Sequence, residues 1–220
     1  SVAGGDSPTP SKGNVQIGYT ATLQLLGLYQ RTAKGWEIDE AKVDSFLNVI
    51  RKVQRPVVLY FSADHFDSVG PIAAEQPKDP VNLMQLKDGK PLELGYFGYR
   101  ILPYTLSTDA SVPVNHYRFK ALEYMARKIR ELPKPVQDRI IAYTLPGELH
   151  HMFPDFENGM GAYQDLRVTD YSPGSVAGFR QWLQAKYKDI AQFKAQTGLD
   201  YASFDVIPAP SKDIRKEKLN

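Results

Sequence analysis

The run Ile140-Ile141-Ala142-Tyr143-Thr144-Leu145 breaks at Pro146-Gly147 and opens at once into Glu148, His150, His151 and Asp155. An apolar run this short, bounded by turn residues, reads as a buried strand, and a buried strand requires cover on its faces. The chain is thereby directed toward an α/β fold, in which substrates bind at the carboxyl ends of parallel strands. Glu148 is the first residue to suspect of chemistry. The plainer alternative is a loop carboxylate beside two surface histidines.

The same pattern recurs upstream. Pro56-Val57-Val58-Leu59-Tyr60-Phe61 is a second apolar run and ends in Ser62-Ala63-Asp64-His65-Phe66. Asn14 to Thr20 makes a shorter strand ending near Tyr19, and Arg100 to Leu106 a further one ending at Ser107, Thr108 and Asp109, with Pro103 inside it as a weakness because proline removes a ladder donor. Between these runs lie helical patterns. Asp39 caps a segment with Val43, Phe46, Leu47, Ile50 and Val53 on one face, and Tyr117 to Leu132 carries Leu122, Met125, Ala126, Ile129 and Leu132. Ser172-Pro173 starts a helix that points Val176, Phe179, Trp182, Leu183 and Tyr187 inward, and Asp189 starts a short one closed at Gly198. Asp67 to about His116 is rich in Pro and Gly, with a hairpin turn at Asp88-Gly89.

Strands alternating with helices predict a parallel sheet with right-handed connections. Its carboxyl rim would gather Tyr19, Asp64, His65, Asp109, Glu148, His150, His151 and Phe153. Residues 1–13 read as a flexible leader, 14–207 as one α/β portion, and 208–220 as a polar tail.

Composition removes several partner classes. Lys+Arg of 27 against Asp+Glu of 25 leaves a net charge of +2, so nucleic acid has no electrostatic case. No apolar run reaches the ~18 residues of a membrane span. Cysteine is absent, which excludes disulfides and a thiol nucleophile and leaves the compartment open, with the leader tilting toward the periplasm or secretion. Thirteen tyrosines tilt mildly toward a sugar site, where rings stack on apolar sugar faces.

Flanked by Leu149, Met152 and Phe153, the Glu148 carboxyl would be partly desolvated and hold a proton near neutrality, which suits protonation of a glycosidic oxygen. Glycoside hydrolysis needs a second carboxylate, and Asp64, Asp109 and Asp155 are the candidates. Glu148, His150, His151 and Asp155 also have ligand chemistry. Adjacent histidines point apart, however, and no H-E-x-x-H spacing occurs, so no metal and no cofactor is expected. A Gly-x-Ser-x-Gly elbow and phosphate-binding loops are missing.

Glu148 at a strand end, then Phe179-Arg180-Gln181-Trp182-Leu183-Gln184-Ala185-Lys186-Tyr187-Lys188-Asp189-Ile190 and a short helix to Gly198, resembles the fourth-strand region of the family 42 β-galactosidases. Those are (β/α)8 TIM-barrel glycoside hydrolases. The resemblance covers Ile140 to Gly198 and implies that Glu148 is the acid/base. It also implies an Asn before the glutamate, where Gly147 stands here, and a nucleophile from a seventh strand, beyond the four strand–helix units read above. The expectation is therefore an incomplete, N-terminal barrel portion acting on a carbohydrate, with exposed barrel edges open to self-association. The alternatives are a non-catalytic carbohydrate-binding or scaffold domain and a metal-dependent hydrolase.

Overall fold

The computed structural model describes residues 17–63, 67–96, 99–144 and 170–210. The chain divides into two compact units, residues 1–75 with 117–149 and residues 76–116 with 150–220.

The first unit is built on a parallel sheet of β1 (Tyr19–Gln24), β4 (Val57–Ser62) and β7 (Ile140–Thr144), in the order β1-β4-β7. Along β1 the residues alternate, with Ala21 and Leu23 buried and Thr20 and Thr22 exposed, the period of a strand with one covered face. In β4, Val57, Leu59 and Phe61 are buried. Between these strands lie an antiparallel hairpin of β2 (Tyr29–Thr32) and β3 (Gly35–Ile38), then helix α1 (Glu40–Lys52). The Asp39 carboxylate accepts the amides of Ala41 and Lys42 at 3.1 and 3.3 Å and starts α1, which buries Val43, Leu47 and Ile50. The short helix α2 (Pro71–Glu75) follows β4.

Helix α3 (Pro113–Arg130) starts four residues before the predicted Tyr117 and, in the first unit, buries Ala121, Met125 and Ile129; Ala126, expected inward, is exposed. The one-turn helix α4 (Lys134–Gln137) leads into β7. A fully buried carboxylate anchors this unit: Asp67 accepts the Leu26 amide at 2.8 Å and pairs with the Arg118 guanidinium at 2.9 Å.

The second unit has little sheet among its described residues. Leu83 bridges Tyr104, the turn at Asp88-Gly89 forms with Gly89 at φ +80°, and β5 (Leu94–Tyr96) pairs with β6 (Tyr99–Ile101). Ser172 caps α5 (Pro173–Tyr187), and Asp189 caps α6 (Ile190–Thr197), which ends at Gly198 with φ +73°. These two helices and the turn Phe204–Val206 enclose an aromatic core of Leu183, Phe193, Phe204 and Ile207. Edge-on contacts of Phe193 with Tyr187 and Phe204 tighten it. Trp182, expected inward, is 55% exposed.

The barrel expectation is overturned. The parallel sheet holds three strands among the described residues, and the remaining ladders are antiparallel pairs, so the fold is mixed α/β without a (β/α)8 TIM-barrel. The expected strand Arg100–Leu106 is the point of failure. Its first residues form the antiparallel pair β5–β6, and around Pro103, which has no N–H to donate, the backbone pairs with Asn82–Met84 instead: Met84 donates to the Pro103 carbonyl and Thr105 to the Asn82 carbonyl, each at 2.9 Å. Consequently Ile140–Thr144 is the third strand of its sheet, not a fourth. It pairs with β4, and Ile141 and Tyr143 are 64% and 53% exposed where burial was expected. No helix among the described residues is long and apolar enough to cross a membrane.

Candidate functional site

The expected rim is not assembled as read. Tyr19 is the first residue of β1, in register with Val57 at the start of β4, so it stands at the amino end of the sheet. The strand runs on to Gln24, opposite Ser62, because Tyr-Thr-Ala-Thr-Leu-Gln alternates rather than forming an apolar run. Asp109 belongs to the second unit, in a turn ahead of α3. Asp64, His65, Glu148, His150, His151, Phe153 and Asp155 lie outside the described residues. Among the described residues no three His, Asp or Glu side chains gather closely enough to hold a metal ion.

A cleft of about 640 Å³ is present within the second unit, walled by the loop Leu106 to Asp109 and the first two turns of α5. Its floor is organised by Asp170. This carboxylate receives six donors: the amides of Gln85, Leu106 and Ser172 at 2.9, 3.0 and 2.8 Å, and the hydroxyls of Thr105, Ser172 and Ser175 at 2.6, 2.7 and 2.7 Å. A carboxylate offers about four lone-pair positions, so Asp170 is saturated from within the protein. Burial pushes its pKa up, but the hydrogen bonds from Thr105, Gln85, Ser172 and Ser175 outweigh burial and hold it below the ordinary carboxylate range. Asp170 is thus ionised at neutral pH and is neither a proton donor nor a free base.

Asp109 lies at the cleft's mouth and is exposed. The Ser111 amide at 2.8 Å, together with the Ser111 hydroxyl, holds its carboxyl below the usual range. Its own amide donates to the Ser107 hydroxyl at 3.2 Å. Neither Asp109 nor Asp170 forms an ion pair with a described residue.

Two glycines shape the α5 wall. A Cβ at Gly174 would stand 2.7 Å from the Ser107 Oγ and 3.0 Å from its Cβ, so glycine is what lets the helix approach the loop. At Gly178 an added Cβ would meet nothing within 4 Å and would project into open space beside the cleft. Farther along the helix, the resembling Phe-Arg-x-Trp-Leu segment has a packing account: Leu183 enters the aromatic core, Phe179 packs against it, and Arg180 donates to the Ile207 carbonyl at 3.0 Å.

Asp170, Thr105 and Ser175 were not singled out by the sequence reading. The turn-forming string Asp170-Tyr171-Ser172-Pro173-Gly174-Ser175 was visible as a helix start, but Gln85 and Thr105 are supplied from far away in the chain. No family model matches this chain, and no curated protein is detectably similar to it.

Proposed function

We propose that this protein is carbohydrate-active and that the cleft of the second unit binds a sugar. The observation that carries the reading is the cleft's lining: hydroxyls, carboxylates and the Gln181 amide, with Phe179 among the lining residues. Its volume lies within the range of small-ligand sites, about 300–1,000 Å³, while its polar lining suits a polyol better than an apolar ligand. A sugar presents hydroxyls to such groups and an apolar face to a ring.

Calorimetric titration of galactose and a galactose-containing disaccharide tests this, with Gly178→Leu as the blocking variant. An added Cβ at Gly178 meets nothing within 4 Å, so the fold should persist by circular dichroism while binding is lost. Absence of binding to the natural chain, or unchanged binding by the variant, overturns the reading.

Hydrolysis, β-galactosidase-like in the sense of the resemblance, is the second part of the proposal and falls on Glu148 as acid/base. Its support is the segment Phe179 to Ile190 and the strand that precedes the glutamate; the position of that strand as third in its sheet removes one argument for it. Asp109 and Asp170 are both held ionised and are not the proton donor. Glu148→Gln should abolish turnover of an aryl galactoside, and undiminished turnover ends the acid/base assignment. The exposed Ile141 and Tyr143 of β7 support self-association at that strand. Sedimentation of Ile141→Lys beside the natural chain checks it, and an unchanged monomer in both removes it.

A further inference from the structure

We infer that the cleft prefers a sugar bearing a protonated amine over its neutral counterpart and disfavours a sugar carrying a carboxylate. This deepens the carbohydrate reading and rests on it. The charges on the cleft's described lining are of one sign. Asp109 and Asp170 contribute carboxylates, and among the described residues that line it there is no Lys, Arg or His. Asp170 already has its full set of donors, which leaves its charge in place but closes its lone pairs to a ligand. Asp109 is different. Ser111 occupies one side of its carboxylate, and the exposed group has no countercharge among the described residues. It is the atom set to which an ammonium group can come.

The Ser175 hydroxyl biases the cleft the same way. Ser175 donates its single proton toward Asp170 at 2.7 Å, so toward a ligand it can only accept. An ammonium group presents three donors and no acceptor, and it matches the Asp109 carboxylate and the accepting Ser175 oxygen. A carboxylate on the ligand would meet like charge with no cation among the described lining residues to offset it.

The experiment titrates galactose, galactosamine, N-acetylgalactosamine and galacturonic acid into the full chain at low salt and a pH that keeps the amine protonated. Galactosamine should bind about three- to fivefold tighter than galactose, the scale of a solvent-exposed ion pair. N-acetylgalactosamine should lack that gain, and galacturonic acid should bind more weakly than galactose. In Asp109→Asn the ratio of galactosamine to galactose affinity falls toward one, and added salt compresses it in the natural chain. Equal affinity for all four sugars, or a ratio unmoved by Asp109→Asn, overturns the charge preference while leaving the sugar-binding reading in place. Binding of none of them overturns both.

Discussion

Two acidic side chains, one in each unit, are held in different ways. Asp67 in the first unit is fully buried and is neutralised by a cation, the Arg118 guanidinium, together with the Leu26 amide. Among the described residues, Asp170 in the second unit is stabilised by amide and hydroxyl dipoles alone. A countercharge cancels the field of the carboxylate, whereas dipoles stabilise it and leave its charge to be felt nearby. The first arrangement suits a strut, and the second keeps a cleft negative. The surroundings differ accordingly: the first unit has a parallel sheet to fix its segments, while in the second the carboxylate gathers residues near Gln85, Thr105 and Ser172 that no continuous sheet joins.

The contrast can be broken most forcefully at the ion pair. Arg118→Met strands a buried charge and should cost about 3–5 kcal/mol in urea unfolding. A loss below about 1 kcal/mol would mean that the pair is not the strut described. Asp170→Asn comes next. It replaces an acceptor with an amide that brings donors into a cluster of donors, and a loss of about 2–3 kcal/mol is expected by the same measurement.

Acid should separate natural Asp170 from its variant. Its folded pKa lies below the unfolded value, so its contribution is fully present above the unfolded pKa of about 3.9 and is lost as pH falls through the folded pKa. Protection of α5 amides against hydrogen exchange, taken relative to the intrinsic rate at each pH, should therefore fall below roughly pH 4 in the natural chain, and this component should be absent in Asp170→Asn. Identical pH profiles would remove Asp170 as its source.

The smallest effects come from the two α5 glycines, and they should differ in sign. Gly174→Ala drives a methyl against Ser107 and should destabilise by about 1–2 kcal/mol. Gly178→Ala meets open space and should stabilise by about 0.4–1 kcal/mol through the reduced freedom of the unfolded chain. Thermal melts of both, read side by side, check whether one glycine serves packing and the other leaves room.

Local signals translated well into elements. Asp39, Ser172 and Asp189 cap the helices they were expected to cap, and Gly89 and Gly198 take the positive φ their places require. Short-range faces were mostly legible too, since Val43, Leu47 and Ile50 are buried at helical spacing. Errors appeared where a segment had to choose a distant partner. Arg100–Leu106 has strand-like composition, but an apolar run does not say whether its ladder is parallel or antiparallel, and the barrel expectation failed on that point. Trp182 fell on the predicted face yet stays exposed, because the aromatic core is completed by Phe193, Phe204 and Ile207 around Leu183.

The candidate site divides along the same line. Asp109 was legible as a carboxylate after an apolar run, although its place on a common rim with Tyr19 was not correct. What the amino-acid sequence determined by itself is the set of caps, turns and apolar faces, because these depend on residues within a few positions of one another. Tertiary structure alone decided that Asp170 meets Gln85 and Thr105, that Gly174 touches Ser107, and that the described lining of the cleft carries charges of one sign. Each of those depends on which distant segments come together, and neither composition nor periodicity encodes that choice.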